Sequence, residues 1–474
     1  MLLRNTLLGA TALIGALASL TGHAADGRID PGFGVDGVAI LALDDVEGRE
    51  LRTRTALVQP DGKLVFGGTR NKFIDSSPFD PHMRATLARL NADGSPDATF
   101  TGAAGIPGLV VLPDLVPGDQ MQIIEDARLL ADGSIVAVGS AEAFGPLAAF
   151  AVKVDASGAL DPGFGVDGIV TLPSSYLHAM AVDAQGRIVA AGERVADGAY
   201  SSLVVRLNAD GSPDSSFGPS ADGNVIVGWD GVDGQGGYLT SLALTSDGHI
   251  LVAGQYESNG VGMGTDYAIA RLDTDGLLDT SFGGGAGWRV FRIPGDDASM
   301  VNGINKLLLQ PDGAAVFGGY HQNADGNLDL VLGRVGSDGA ADTGFGDPAT
   351  PGFHAFSLFP GAWNHYATGV ARQDDGKLIF SISYSLPGEK QDFAALRVSP
   401  TGQLDADFAD AGVFIADLAP DGVFSDATAL TLLPDGRPIL AGAVMRSPDS
   451  PLVDLAVVRL TNDSGDRIFA DGFE

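Results

Sequence analysis

One short element recurs along the chain: an apolar segment, a tight turn ending in glycine, and a second apolar segment. The turn occurs, about every 60 residues, at Asp61-Gly62, Asp132-Gly133, Gln185-Gly186, Asp247-Gly248, Asp312-Gly313, Asp375-Gly376 and Asp435-Gly436. The segment after each turn is apolar at consecutive positions, as in Leu64-Val65-Phe66, and most of these segments then reach a glycine. Consecutive apolar positions are typical of strands covered on both faces. A fixed period of this length indicates a repeat architecture in which each unit packs on its neighbours.

A second recurring element is a strand that ends in a basic residue, followed by a polar turn and the pattern Asp-x-x-Phe. Three well-matched copies are Arg89, Asp97 and Phe100; Arg206, Asp214 and Phe217; and Arg271, Asp279 and Phe282. We interpret the Arg–Asp pair as a structural salt bridge and the Phe as a plug between neighbouring units, because packing must be preserved in every copy. The alternative is an ion-binding site repeated in each unit.

Together the two elements predict an all-β fold, a seven-bladed β-propeller of four-stranded antiparallel blades. The segment 30–37 repeats the pattern of 161–168 but has no preceding Arg-bearing strand, and the last repeat ends just after such a strand at Leu460. This stagger predicts that the ring closes by joining the N- and C-terminal segments, which also hides sheet edges. A string of independent sandwiches, the competing arrangement, needs about twice as many residues per unit.

The first residues read as a secretion signal. Arg4 precedes an apolar run over 6–20, and Gly22 and Ala24 supply small residues before a cleavage point. We therefore expect a signal peptide over 1–24, a propeller over 25–462, and a C-terminal tail over 463–474 that is a degenerate repeat or a tag. The mature protein is expected to be exported to the periplasm or the extracellular space, with no membrane span after signal removal. An uncleaved anchor is the alternative.

Composition limits the chemistry. The chain has no cysteine, so it forms no disulfide and no thiolate metal site. Asp and Glu number 60 against 28 Lys and Arg, a formal charge of −32. Such acidity repels nucleic acid and anionic membrane surfaces. We expect a monomer with no nucleic-acid partner.

The repeats resemble the delta-60 repeat family of bacterial exported and surface proteins. The resemblance rests on the segments 59–65 (QPDGKLV) and 88–100 (ARLNADGSPDATF), and 206–218 and 271–283 match it equally well. It implies a β-propeller-like fold and export. It implies no general activity, so no catalytic residue is transferred from the family.

The turn that precedes Asp-x-x-Phe carries oxygen ligands at a spacing similar to that of calcium loops. The candidate calcium ligands are Asp93, Asp210 and Asp275. Asn, Asp and Gly also favour tight turns for conformational reasons alone, which is the alternative explanation. Beyond this candidate calcium site, no cofactor is predicted.

Irregular loops share one face of the predicted ring, and varied loops on a rigid scaffold are where specificity is usually built. The partner-binding candidates on that face are Trp229, Asp230, Tyr256, Tyr320, His321, Trp363, His365, Tyr366 and Tyr384. Aromatic groups beside carboxylates suit a protein or glycan partner. The alternative is that each aromatic residue covers the end of its own blade.

No conventional catalytic motif is present, and no catalytic residue is assigned. The first functional hypothesis is therefore a non-enzymatic exported scaffold that binds a protein or glycan through the irregular face. The second is a propeller-type enzyme (a lyase, hydrolase or quinone-dependent dehydrogenase) acting at the central channel. The third is a calcium-stabilised structural protein of the cell surface.

Overall fold

The structure is a computed structural model, and it describes most of the chain between Asp26 and Asn462. Within 26–462 the description leaves out 43–49, 74–80, 103–104, 116–120, 143–146, 230–235, 258–263, 294–295, 298, 360–361, 387–390, 420–423 and 448–451. The predicted signal peptide (1–24) and the C-terminal tail (463–474) both lie outside the described residues. What is described is almost entirely β-structure, with one 3-10 turn at Gly283–Gly285.

The strands fall into groups of four. The first three groups are β2 (Glu50–Val58), β3 (Leu64–Phe73), β4 (Pro81–Leu90) and β5 (Leu109–Val111); β6 (Met121–Leu129), β7 (Ile135–Glu142), β8 (Ala148–Val154) and β9 (Ile169–Pro173); and β10 (Ser175–Val182), β11 (Ile188–Ala196), β12 (Ala199–Leu207) and β13 (Asn224–Ile226). The next two are β14 (Gly237–Leu244), β15 (Ile250–Glu257), β16 (Thr265–Leu272) and β17 (Trp288–Phe291); and β18 (Asn302–Leu309), β19 (Ala315–Gln322), β20 (Leu328–Val335) and β21 (Phe353–Phe356). The remaining strands are β22 (Asn364–Arg372), β23 (Leu378–Ser385), β24 (Phe393–Val398) and β25 (Val413–Ala416); and β26 (Phe424–Leu432), β27 (Pro438–Met445), β28 (Asp454–Arg459) and β1 (Val38–Leu41).

Within each group the strands pair antiparallel in the order in which they are given above. Two pairs of groups are joined into eight-stranded sheets, each by a single parallel residue pair: Met83 with Met121, and Leu328 with Asn364. The Asp-Gly turns therefore connect the first and second strands of each group. This confirms an all-β fold of multiple four-stranded antiparallel sheets.

The second and third strands of each group are covered on both faces, as their consecutive apolar positions predict. In β8, for example, every residue except Lys153 is buried. The core lies between adjacent groups: Val65 and Leu87 of one group pack with Ile135 and Val152 of the next. Burial of this kind contributes about 25 cal/mol per Å² of apolar surface, so each group depends on its neighbours for stability.

The two ends of the described chain meet in one sheet. Strand β1 pairs antiparallel with β28, and Val38 lies opposite Val458. Asp30 accepts hydrogen bonds from Arg459 Nε and Arg437 Nη1, both at 2.7 Å. The fourth strand of the last group is thus supplied by the N-terminal segment.

The Arg and Asp-x-x-Phe residues of the repeat form contacts both within a group and with the next one. Arg206 Nε donates to Asp214 at 2.7 Å, and its guanidinium lies 4.4 Å from the centre of the Phe217 ring. Arg206 also donates to the carbonyl of Thr274 in the following group. A Cβ placed on Gly276 of that group would lie 2.7 Å from the Phe217 ring, so the glycine allows the two groups to approach closely.

The same arrangement recurs in the other two copies named above. Arg89 donates to Asp97 at 2.7 Å and stacks over Phe100, and Arg271 does the same with Asp279 and Phe282. Arg89 Nη1 also donates to the carbonyl of Ala156, and Arg271 Nη1 donates to that of Ser337.

Candidate functional site

The first strand of every group contains a β-bulge at the equivalent position. The register shifts lie between Thr53 and Thr55, Ile124 and Asp126, Leu177 and Ala179, Leu239 and Ser241, Ile304 and Lys306, Ala367 and Gly369, and Ala427 and Ala429. The bulged residues are Arg54, Glu125, His178, Thr240, Asn305, Thr368 and Thr428. Bulges re-aim a side chain out of the regular ladder, and they are frequent beside functional sites.

A glycine on the second strand makes room for most of these bulges. A Cβ on Gly192 would lie 2.0 Å from the carbonyl oxygen of Tyr176, and one on Gly254 would lie 1.8 Å from that of Tyr238. Such distances leave no room for a side chain. The group that starts with β22 differs, because Ile382 stands opposite its bulge. These glycines are the ones that follow the apolar segment after most of the recurring turns in the sequence.

The bulged residues gather around one cavity. Strand β10 packs against β6 and β14, and β2 packs against β6 and β26, so the first strands of successive groups lie side by side. All seven bulged residues line a cavity of about 200 Å³, together with Lys306, Tyr366 and Ala367. We call it the central cavity, and it is the candidate functional site.

Part of the cavity wall has a structural role. Thr240 donates to the carbonyl of Ile304, Asn305 Nδ2 to that of Ala367 at 3.1 Å, and Thr368 to that of Ala427 at 2.8 Å. Each of these bonds joins a bulged side chain to the first strand of the next group. We therefore interpret Thr240, Asn305 and Thr368 as residues that hold neighbouring groups together.

The other part of the wall is charged. Arg54, Glu125 and His178 occupy the bulges of three consecutive groups, and we call them the charged arc. Arg54 Nε lies 3.9 Å from Glu125 Oε2, and the Arg54 side chain is 49% exposed. The charged arc also lines a second cavity, of about 260 Å³, with Tyr176 and Met121. Met121 and Tyr176 lie at the starts of β6 and β10.

His178 is held by a buried carboxylate. Its Nε2 lies 2.9 Å from Glu193 Oε2, and its ring stacks on Tyr176 with centroids 6.1 Å apart. Burial opposes protonation of His178, but the hydrogen bond and charge of Glu193, with the charge of Glu125, outweigh it and raise the pKa. The imidazole therefore carries a proton at a higher pH than an isolated histidine does.

Lys306 follows the bulge residue Asn305 and lines the central cavity. Burial lowers the pKa of Lys306, while the negative charges of Asp126 and Glu125 oppose that change. Asp126 itself is occupied: it accepts from Arg128 at 2.5 Å and from the backbone N–H of Met180 at 2.9 Å. In the part of the chain that the structure describes, no carboxylate forms an ion pair with Lys306.

Several of the predicted partner-binding residues are buried. Trp229 is 1% exposed, and its indole N–H donates to Ser202 at 2.9 Å. The Phe359 ring stacks on Tyr384 with centroids 4.0 Å apart and on His365 with centroids 5.5 Å apart. Trp229, Tyr384 and His365 are thus buried by contacts within the fold. Asp230 lies outside the described residues.

The other predicted partner-binding residues are more accessible. Trp363 is 57% exposed. Tyr366 is half-buried and lines the central cavity. Tyr256 and Tyr320 are half-buried, and Tyr320 donates to Gln255. His321 Nδ1 lies 3.4 Å from Asp296, away from the central cavity. Of the members of this set that the structure describes, only Tyr366 lines the candidate site.

The three calcium candidates lie in tight turns. Asp93 and Asp210 accept hydrogen bonds from the serine two residues later, at 2.9 Å from its N–H and 2.6 Å from its hydroxyl. The carbonyl oxygen of Asp275 accepts from Gly218 of the preceding group at 2.8 Å. Among the residues described, no group of three or more His, Asp or Glu side chains is arranged to hold a metal ion. Calcium binding remains a prediction.

Sequence analysis missed the charged arc and Lys306. Charged residues on an alternating strand look like an ordinary solvent-facing set, and nothing in their spacing brings distant repeats to one point. The glycine that recurs after the apolar segment of most repeats was the available signal, because a glycine inside a strand often marks a bulge.

One family model matches part of the chain. Residues 59–100, 130–164, 185–217 and 245–282 match the family model described as a domain of unknown function (DUF5122), beta-propeller. The match does not single out the delta-60 repeat to which the sequence was compared above. No curated protein matches the chain. In the described part of the chain, no helix has the length and apolar character needed to cross a membrane.

Several solved structures are similar to this one at low sequence identity. Drosophila Semaphorin 2a has 9% identity and a TM-score of 0.49, covering 92% of this chain and 76% of that one. The polysaccharide lyase Uly1 has 10% identity and a TM-score of 0.46, covering 86% and 90%. A protein of unknown function from Dyadobacter fermentans has 14% identity and a TM-score of 0.42, covering 75% and 96%. With its repeated four-stranded sheets and the match in four of its segments, the chain has a β-propeller fold.

Proposed function

We propose that the chain forms a closed ring of seven blades. Seven groups of four strands support the count, and the β1–β28 pairing supports closure. Asp30, which accepts from Arg459 and Arg437, supplies the last group with the Asp of its Asp-x-x-Phe element. In this ring the first strands face the axis and the central cavity lies on it.

We further propose that the protein is an exported, non-enzymatic scaffold that binds a glycan at the mouth of the central channel, on the irregular face. The observation that carries this proposal is the charged arc. Three consecutive bulges hold charged residues where other groups hold side chains that fasten the neighbouring group. Arg54, Glu125 and His178 are therefore available to a ligand.

The shape and lining of the site favour a glycan over a flat protein interface. Standard protein interfaces bury about 800 Å² on each partner. The cavities here hold about 200 and 260 Å³, below the roughly 300 Å³ at which drug-sized pockets begin. Cavities of this size can accommodate the end of a larger polar ligand. Tyr176 and Tyr366 supply rings, and the charged arc supplies hydrogen-bonding groups for hydroxyls.

A glycan array probed with the mature protein tests this function. We expect binding to a defined set of glycans, and loss of that binding in Glu125→Gln and Arg54→Gln. Trp363→Ala serves as a control on the same face, because its side chain does not line either cavity. If glycan binding is unchanged in Glu125→Gln but lost in Trp363→Ala, the binding site does not lie in the channel. If the protein captures only protein partners, the proposal that it binds a glycan is contradicted.

An enzyme acting at the channel is the second candidate, and the His178–Glu193 hydrogen bond favours it. A histidine oriented by a buried carboxylate is a common arrangement for proton transfer. Turnover of any glycan that binds, lost in His178→Gln while binding persists, would establish an enzyme. Binding without turnover supports the scaffold.

Export and calcium dependence each have a direct test. N-terminal sequencing of protein recovered from the periplasm or medium is expected to begin at Ala25. A calcium-dependent rise in Tm that disappears in Asp93→Asn, Asp210→Asn and Asp275→Asn would support the calcium-stabilised alternative.

A further inference from the structure

The channel wall contains two cations whose charges are not fully balanced by neighbouring residues. Arg128 is paired with Asp126 at 2.5 Å. Arg54 lies 3.9 Å from Glu125, near the limit of an ion pair, and remains half exposed. Lys306 forms no ion pair within the described part of the chain. Both Arg54 and Lys306 line the central cavity.

These cations stand out because the chain as a whole is acidic, with a formal charge of −32. Arg54 lies on β2 and Lys306 on β18, strands of different groups that reach the same cavity from separate sides. A guanidinium and an ammonium that converge on one small space are suited to an anion, above all to a carboxylate or phosphate.

The remaining polar groups narrow the choice of anion. Glu125 in its charged form only accepts hydrogen bonds, so it requires a donor on the ligand. Ligand hydroxyl groups supply such donors, whereas sulfate and fully ionised phosphate do not. Tyr176 lines the adjoining cavity and offers an aromatic face. A compact ligand with hydroxyls and one carboxylate provides a partner for the two cations, for Glu125 and for the Tyr176 ring.

We propose that the central channel binds an acidic sugar residue, with its carboxylate between Arg54 and Lys306 and its hydroxyls donating to Glu125. This inference rests on the proposed glycan-binding function and names the substrate class for the same site. The cavity of about 200 Å³ limits the occupant to a small unit, such as the end residue of an acidic glycan.

Isothermal titration of the mature protein with glucuronate, glucose and sulfate tests the proposal. We expect glucuronate to bind, with glucose and sulfate each about tenfold weaker or undetectable, since a charge-assisted hydrogen bond contributes roughly 1.5–3 kcal/mol. Lys306→Met and Arg54→Gln are each expected to weaken glucuronate binding about tenfold. Lys306→Arg, which keeps the charge, is expected to retain most of it.

Arg446→Gln is the matched control. It removes the same charge from a side chain that is 51% exposed and paired with Asp454, away from both cavities, so glucuronate affinity should not change. If Lys306→Met fails to fold, Arg54→Gln and the salt dependence of the wild-type affinity still decide the matter, because an ionic contact weakens with salt.

The experiment distinguishes a failure of the acidic-sugar proposal from a failure of the glycan-binding proposal. Equal binding of glucose and glucuronate, unaffected by Lys306→Met, would overturn the acidic sugar while leaving glycan binding intact. Sulfate binding as tight as glucuronate would show a general anion site and also overturn it. Absence of binding to every sugar and to a glycan array would overturn both proposals.

Discussion

Arg206 shows how one residue of the repeat connects two neighbouring groups. It is buried, and it contacts Asp214, the Phe217 ring and the carbonyl of Thr274. Burial opposes ionisation of Asp214, but hydrogen bonds from Ser216 and the charge of Arg206 outweigh it and lower the pKa to about 2. Breaking such a pair leaves a buried guanidinium without its counter-charge, which costs more than the pair itself contributes.

We expect Asp214→Asn to reduce the free energy of unfolding at pH 7 by about 2 kcal/mol, the range of hydrogen bonds to charged groups. Because the pKa of Asp214 is lowered in the folded state, its contribution is fully present above its unfolded value of 3.8 and is lost as the pH falls toward 2. Urea unfolding of both proteins at pH 7 and pH 3 measures this. Asp167→Asn, in an exposed turn, is the control, and an equal loss in both variants would refute the role of the buried pair.

The pKa of His178 is a second quantity that can be measured at the scale of single residues. NMR titration of its ring protons should give a pKa above 6.5, because the Glu193 carboxylate outweighs the burial that opposes protonation. Glu193→Gln should lower that pKa. The groups facing the ring are Glu193 on β11, Glu125 on β6 and Lys306 on β18, and of these the first dominates the rise.

The raised pKa of His178 also determines how the stability contributed by the His178–Glu193 pair changes with pH. A raised pKa contributes stability that is present below 6.5 and is lost as the pH rises through the folded-state value. Glu193→Gln should therefore cost more stability at pH 5 than at pH 9. A cost that is independent of pH would mean that Glu193 acts through packing alone.

At the scale of single residues, the residues that recur in the repeats could be predicted from the sequence, whereas the residues that line the cavity could not. The set of a basic residue, Asp and Phe recurs along the chain, so its members could be identified from the pattern alone. Trp229 and Tyr384 resembled exposed binding aromatics, and only packing against Ser202 and Phe359 revealed their burial. Arg54, Glu125 and Lys306 come together because three different strands reach the same cavity, which no local pattern contains.

At the scale of the strand, the bulge explains both the glycines and the cavity. The bulged first strand and the glycine opposite it form one structural element. In six of the seven groups that glycine is present, and Ile382 takes its place in the remaining one. The glycine that follows the apolar segment of most repeats was therefore evidence for a bulge that places a side chain in the central cavity.

Replacing one of these glycines tests that explanation. In Gly254→Ala the new Cβ would lie 1.8 Å from the carbonyl of Tyr238, so the strands must shift. We expect a loss of about 1–3 kcal/mol in the free energy of unfolding, the range for overpacking a close contact. Gly163→Ala is the control, since its Cβ would meet only the Asp161 carboxylate at 3.2 Å. If Gly254→Ala proves as stable as Gly163→Ala, the glycine is not required by the bulge.

At the scale of the whole molecule, the N-terminal segment completes the last group. Asp26-Gly27 take the place that the turn Asp93-Gly94 takes elsewhere: the carbonyl of Asp26 accepts from Ala409, as that of Asp93 accepts from Gly34, both at 2.8 Å. The sequence predicted this stagger from the repeat phase alone, because an incomplete first copy and an incomplete last copy complement each other. It could not predict which strand of each group lines the central cavity, since all four strands are compatible with the repeat length.

The absence of cysteine makes closure directly measurable. Ala39 on β1 lies opposite Val457 on β28, so Ala39→Cys with Val457→Cys places two thiols in neighbouring strands. Ala39→Cys with Val290→Cys, on the outer strand β17 of another group, is the control. After mild oxidation and proteolysis, mass spectrometry identifies the cross-link, and size-exclusion chromatography separates monomer from dimer. The closed ring predicts a 39–457 disulfide within the monomer and none in the control; a cross-link found only in dimers, or equal cross-linking of both pairs, would contradict it.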